Sequence, residues 1–321
     1  MSLILKPTAL TPRVTVADGP SLAVEIAGIR FQNPVMSASG CFGWGEEYAR
    51  FFDLRCLGAL VGKAVTPRPR PGNPRTRIAE TPAGMLNAIG LQNPGVEGFL
   101  ETILPRVREL GVPVLVNVSA NSLQEYVDLC GVLSTQAGVT AIELNLSCPN
   151  VGRGGAEFCV VPEAVGETVA ACRAVCRVPL IPKLSPNTTD IVALARAAEA
   201  AGADAVSLIN TVVGMAIDID RRAPVLGNRT GGLSGPAVKP IALRMVYEVA
   251  GAVSIPVIGI GGITTWRDVV EFLMAGATAV QIGTASFFNP VAIPEAIQGL
   301  ETWLRAQGIA DVNEIIGAAR Q

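Results

Sequence analysis

The stretch "VPLIPKLSPNTTDIVALARAAEAAGADAVSLINT", residues 178–211, decides the fold. It opens on a β-branched run, "VPLIPKLS" (178–185), that is apolar on both faces and closes on polar residues. A helical pattern follows, "NTTDIVALARAAEAAG" (187–202). Its Asn/Thr start predicts the helix cap, and Gly202 predicts the stop. A second run, "ADAVSLINT" (203–211), then returns to strand composition and ends on Asn210 and Thr211. A doubly apolar strand, a helix and another such strand make the repeating unit of a parallel sheet covered by helices.

Outward from this unit the same pattern recurs. Further runs lie at 33–40 ("NPVMSASG"), 58–65 ("GALVGKAV"), 112–119 ("VPVLVNVS"), 139–147 ("VTAIELNLS"), 255–262 ("IPVIGIGG") and 277–284 ("ATAVQIGT"). That makes eight strands. Helical patterns fall at 95–110, 122–137, 162–176, 238–250, 265–275 and 291–307. Eight strands alternating with helices predict an α/β fold of the (β/α)8 barrel type. A doubly wound sheet is the second reading. It lacks support, because no G-x-G-x-x-G follows the first run. The segment "LAVEIAGIRFQNPV" reads as a small hairpin over about 22–31, turned at Ala27-Gly28 and plugging the bottom of the barrel. No linker is visible, so residues 1–321 read as one domain.

Composition narrows the function classes. Half of the 321 residues are apolar, enough for a large core, and the net charge of −2 gives no reason to expect nucleic acid or an anionic membrane. The start, "MSLILKPTALTPRVTV", is too short and too broken by proline for a signal peptide or membrane helix. A cytoplasmic protein is expected, in a compartment that keeps thiols reduced. The seven cysteines include no C-x-x-C pair. No metal or iron–sulfur site of this chain's own is therefore expected.

In a (β/α)8 barrel the chemistry gathers at the C-terminal ends of the strands. Those ends read Ser39-Gly40, Lys63, Asn117, Asn145, Lys183, Asn210-Thr211, Gly261-Gly262 and Gly283-Thr284. Any one asparagine could simply cap a loop, but two lysines and three asparagines converging on one rim mark a site. Glycines ending the last two strands let backbone amides approach an anion, the usual phosphate position in this fold. "GGLSG" (231–235) reads as another glycine-rich loop with amides to offer. Asparagine amides and lysine charge suit a flat, carbonyl-rich heterocycle. The chain has no histidine. A proton-moving group must then be Cys, Lys, Asp, Glu, Tyr or an activated hydroxyl. A cysteine is most often an inert filler. Cys148, however, sits just past the fourth strand and opens the loop "CPNVGRGG", where a thiol can act as a base. The loop "TPRPRPGNPRTR" (66–77) reads first as a stiff solvated loop and second as a cover over the site or a docking surface.

Seven segments carry a resemblance: "NPVMSASGCFGWGEEY", "AETPAGMLNAIGLQNPG", "AIELNLSCPNVGRGG", "PKLSPNTTDI", "INTVVGMAIDI", "NRTGGLSGPAVKPIALRMVYEV" and "IPVIGIGGI". In this order, from about residue 22 to 290, they resemble dihydroorotate dehydrogenase of class 1, most closely the catalytic subunit of the NAD-linked class 1B. The resemblance implies FMN across the barrel mouth. Its phosphate would sit on Gly261, Gly262, Gly283 and Thr284 with Gly235 nearby. Cys41, Lys63, Ala64, Asn117, Asn145, Lys183 and Ile209 would touch the rest of the cofactor. Asn87, Ala88, Ile89, Gly90 and Leu91, with Lys63, Asn145, Asn210 and Thr211, would hold the pyrimidine and its carboxylate, and Asn150 would help.

Cys148 matches the family's catalytic base, with Lys63 beside the reacting pair. The implied reaction oxidises dihydroorotate to orotate in de novo pyrimidine (UMP) biosynthesis. Cys148 would take the proton from C5, and a hydride would pass from C6 to N5 of FMN. Lys183 and nearby amides would stabilise the reduced ring. The resemblance also implies a homodimer core within a heterotetramer, whose second subunit carries FAD and a [2Fe–2S] cluster and passes electrons to NAD. A fumarate-linked class 1A enzyme and another FMN barrel acting on reduced pyrimidines are the nearest alternatives. A Schiff-base aldolase or isomerase using Lys63 or Lys183 and an idle flavin-binding scaffold stand further off. Two departures, Ser37 where the family often has proline and Val65 after Lys63-Ala64, do not touch the implied chemistry.

Overall fold

The computed structural model describes residues 19–146 and 161–320. Eight parallel strands form its central sheet: β1 (Val35–Ser37), β2 (Leu60–Val61), β3 (Val114–Val118), β4 (Ala141–Asn145), β5 (Leu180–Leu184), β6 (Val206–Leu208), β7 (Val257–Ile260) and β8 (Ala279–Ile282). Hydrogen-bonded neighbours run β1-β8-β7-β6-β5-β4-β3-β2, so the sheet wraps round until its first two strands face each other. Each run of the sequence reading contains one of these strands. They are buried on both sides because the barrel interior takes one face and the helices the other.

The seam between β1 and β2 is closed by other means. Gly58 N donates to Val35 O at 2.8 Å and Ser37 N to Ala59 O at 3.2 Å. The Ser37 hydroxyl accepts from Val61 N at 2.9 Å and donates to Val61 O at 3.3 Å. The serine side chain thus adds two bonds to the two backbone bonds across the seam, which gives Ser37 a structural role.

Helices follow the expected spans, with shorter ends: Leu123–Leu133, Pro162–Val175, Ile191–Ala200, Lys239–Ala250, Trp266–Met274 and Ala292–Gln307. The pattern at 95–110 becomes two α-helical pieces joined by a π-helical turn over Phe99–Ile103. One cap differs from expectation. The helix after β5 is capped by Asp190, whose carboxylate accepts from Ala193 N at 2.9 Å, rather than by the Asn/Thr residues before it. Asn187 is engaged elsewhere, on Ser185, Thr211 and Val213. The helix does stop at Gly202, which takes a φ of +91°.

The hairpin is present as Val24–Ile26 against Ile29–Phe31, with Ala27 and Gly28 both at positive φ as a tight turn requires. It leads into the N-terminal end of β1 and buries Val24, Ile26 and Phe31 in the main core.

A four-stranded antiparallel sheet stands beside the C-terminal ends of the barrel strands. It orders Val212–Met215, Thr230–Ser234, Gly84–Asn87 and Ile78–Thr81. "GGLSG" is therefore mainly strand, not the loop the sequence reading expects. Its glycines are there for close packing: a Cβ on Gly232 would fall 2.0 Å from Thr211 Oγ1, and one on Gly231 2.6 Å from Asn87 O.

Candidate active site

Between the barrel mouth and this sheet lies a cavity of about 640 Å³, within the usual range for small-molecule sites. Its floor comes from barrel strand ends: Lys63, Asn117, Asn145, Lys183, Asn210, the Gly261-Gly262 pair after β7 and Gly283-Thr284 after β8. Its wall comes from Asn87 to Leu91 and from Thr230 to Gly235. Every predicted site residue lines this one cavity except Cys148, which lies outside the described residues, as does Asn150.

The floor is held by cross-strand pairing. Asn145 and Lys183 are register partners on β4 and β5, and Asn117 faces Glu143 across β3 and β4. Lys183 is nearly buried. Its ammonium reaches Ser39 Oγ at 3.2 Å and stands 3.7 Å from Glu143 Oε1. Asn210 Nδ2 donates to Asn145 Oδ1 at 3.1 Å, and Asn210 Oδ1 accepts from Thr211 N at 2.8 Å, so these amides form a chain along the rim. On the wall side, Asn87 Nδ2 donates to Gly232 O at 3.3 Å. Thr284 Oγ1 donates to Ser234 Oγ at 2.8 Å and ties wall to floor.

Several lining residues escape the sequence reading as site residues. Asn187 donates to Thr211 O at 3.1 Å and accepts from Val213 N at 2.9 Å, so it pins the start of the wall to the end of β5. Its place in a helix-start motif hid this role. Arg70 and Asn73 bring the Arg/Pro-rich loop into the cavity lining, with Arg70 on Asn121 Oδ1 at 2.5 Å. Part of the loop thus borders the cavity, and Arg70 pairs with Asn93 in an antiparallel bridge that fixes it. Glu143, wholly buried beneath the floor, is a further miss. A lone carboxylate inside an apolar run, two residues before Asn145 on the same face, was the available signal.

The electrostatics select for anions. Lys63, Arg70 and Lys183 line the cavity, and no carboxylate does so among the described residues. Burial, with Arg77 nearby, lowers the Lys63 pKa. Cys41 is the cysteine described in the lining. Burial pushes its thiol up to about 11 against the pull of Lys183, so it stays protonated at neutral pH. At the other end, Gly262 holds a φ of +72°, and a Cβ there would come 2.6 Å from Lys239 Cβ. Glycine leaves its amide, and those of Gly283 and Thr284, exposed to a ligand. None of the three donates a backbone hydrogen bond to another described residue. Lys239 itself is held by Asp268 at 2.5 Å and Glu271 at 2.9 Å.

The fit to a flavin mononucleotide rests on these donors and on one orphan. Asn117 Oδ1 is buried with no hydrogen-bond partner among the described residues, an acceptor that a ring N–H would satisfy. Unpaired amides suit a phosphate, and lysines suit an electron-rich ring.

Comparison with known proteins agrees with this geometry. The family profile described as dihydroorotate dehydrogenase matches residues 21–304. A Trichlorobacter lovleyi protein named "Dihydroorotate dehydrogenase B (NAD(+)), catalytic subunit" is 54% identical over 93% of this chain and 98% of its own length. A Geobacillus kaustophilus protein of the same name is 54% identical over 92% and 95%. One from Geotalea daltonii is 52% identical over 94% and 99%.

Proposed function

The chain belongs to the dihydroorotate dehydrogenase family, and from that premise we propose that it oxidises dihydroorotate to orotate as the catalytic subunit of an NAD-linked enzyme. The observation that carries the reading is the cavity's donor set. Three cations, a chain of amides and unpaired glycine amides face one space with no opposing carboxylate among the described residues. A flat dianionic pair, one ligand bearing phosphate and one bearing carboxylate, matches that set.

In this reading residues 1–321 work as one FMN-binding domain. Bound FMN supplies the hydride acceptor. Gly261, Gly262, Gly283, Thr284 and Gly235 hold its phosphate. Cys41, Lys63, Ala64, Asn117, Asn145, Lys183 and Ile209 surround its ring. The segment Asn87–Leu91, with Asn210 and Thr211, orients the pyrimidine, and Lys63 takes its carboxylate. Cys148 removes the proton from C5. Lys183 Nζ is held by Ser39 Oγ at 3.2 Å and stands 3.7 Å from Glu143 Oε1, which fixes it beneath the ring. The relatives' shared name, a catalytic subunit, supports a separate electron-transfer partner. We assign FAD and a [2Fe–2S] cluster to that partner, and a homodimer of this chain to the centre of a heterotetramer in the cytoplasm. No helix among the described residues is long and apolar enough to cross a membrane.

The test is anaerobic. Purified chain reconstituted with FMN is yellow, and dihydroorotate bleaches it in one stoichiometric phase. A chain that takes up no FMN, or holds FMN that dihydroorotate leaves yellow, defeats the proposal. Turnover with fumarate by the chain alone would replace NAD as the acceptor.

A further inference from the structure

Glu143 occupies the third position of β4, two residues before Asn145, and so points inward one layer beneath the cavity. It is wholly buried and does not line the cavity. Four barrel strands converge on it. Asn117 Nδ2 of β3 donates to Oε1 at 2.6 Å, Gln281 Nε2 of β8 to Oε2 at 2.8 Å, and Ser207 Oγ of β6 to Oε2 at 3.0 Å. Lys183 Nζ of β5 stands 3.7 Å from Oε1. Burying a carboxylate is costly, and an aliphatic side chain would fill a barrel layer without that cost. Two of the four partners, Asn117 and Lys183, line the cavity. The bond from Asn117 Nδ2 also settles which end of that amide remains for a ligand: Oδ1, buried and unpartnered.

We propose that Glu143 is a positioning residue of the flavin site. Its charge offsets part of the Lys183 ammonium, which sets how readily the bound flavin accepts electrons, and its Oε1 fixes Asn117 with the acceptor end free. This rests on the FMN reading above. The sign follows from Coulomb's law: uncompensated positive charge beside the ring favours the electron-rich reduced form.

The experiment measures the midpoint potential of FMN-loaded chain against a reference dye, with FMN affinity and thermal unfolding alongside. Glu143→Gln keeps the shape and removes the charge. At fixed potential, its reduced:oxidised ratio rises about tenfold, a positive shift of about 30 mV for a two-electron couple. Gln281→Met removes one donor and leaves the carboxylate less neutralised, so its ratio falls about threefold. Opposite shifts support the assignment, since loosened packing alone gives no reason for a change of sign. Unchanged potentials, or shifts of one sign in both variants, overturn it. If Glu143→Gln fails to fold, Gln281→Met decides alone: a negative shift supports the role and no shift removes it. Wild-type chain that takes up no FMN overturns the flavin reading, and this inference with it.

Discussion

The floor and the wall of the cavity do different work with different chemistry. The floor is made of side chains on short parallel strands: Asn117, Asn145 and Lys183, locked by register and by a carboxylate beneath them. The wall is made largely of backbone, from antiparallel strands whose glycines let Thr211 and Asn87 pack against them. Its edge strand is apolar and open, with Val213, which also lines the cavity, 62% exposed and Met215 51%. The buried cation Lys183 sits on a barrel strand, where register fixes its partners. Shape sits where the backbone can come close.

The most severe way to break this comparison is to remove what neither side supplies. Among the described lining residues no side chain is a ready base: Cys41 is pushed up to about 11, and the other titratable groups are cations. Cys148→Ala should slow flavin bleaching by dihydroorotate by about 10²–10⁴-fold while orotate still binds, read by stopped flow and titration. In the wild type the rate should fall as pH drops, because the thiolate fraction falls with it. Bleaching at the normal rate in the variant would return the base to the floor.

Next in size is Lys183→Met, which leaves Glu143 buried without its cation. Urea denaturation should show a loss of about 3–5 kcal/mol. A loss below about 1 kcal/mol would mean that the floor does not depend on charge pairing.

The wall is probed by Gly232→Ala. Its Cβ would meet Thr211 Oγ1 at 2.0 Å, so Thr211 must move. Orotate affinity should fall about tenfold, roughly 1.4 kcal/mol, with little change in FMN affinity. Equal losses of both ligands would show that wall and floor are one unit.

The change furthest from the ligands concerns the brace behind Gly262. Burial alone would raise the Asp268 carboxyl, but Lys239 and the Thr264 and Thr265 amides hold it at about 2, below the ordinary 3.8. A depressed carboxyl stabilises the fold above its unfolded pKa, and that contribution disappears as pH falls through about 2. Asp268→Asn should therefore cost up to about 2 kcal/mol at neutral pH and progressively less from pH 4 down to pH 2, followed by urea melts.

The barrel was legible because its strands are apolar on both faces and end on residues unsuited to a core. That same signal located nearly the whole floor. The wall was not legible as a sheet. Its strands are short and glycine-rich, and Thr230–Ser234 pairs with Gly84–Asn87, far away in the chain. Asn187 was misread because asparagine before a helix is ordinarily a cap, and only tertiary contacts with Thr211 and Val213 show otherwise. Glu143 was hidden by its neighbours, since one polar letter in an apolar run looks like a solvent-facing position until the barrel closes round it. Ser37 was read as neutral, because a seam exists only in three dimensions.

That closure has a consequence for how the protein is made. β8 pairs with β1, joining Val280 to Val35, and the site's bonds link Lys183 to Ser39, Gln281 to Glu143 and Ser234 to Met85. A chain still on the ribosome has no Gly283 or Thr284 to offer a phosphate, and its Glu143 still lacks Gln281. On the proposed flavin reading, cofactor capture would wait until nearly the last helix is synthesised, and the chain would spend most of its translation time without the ligand that stabilises the closed barrel.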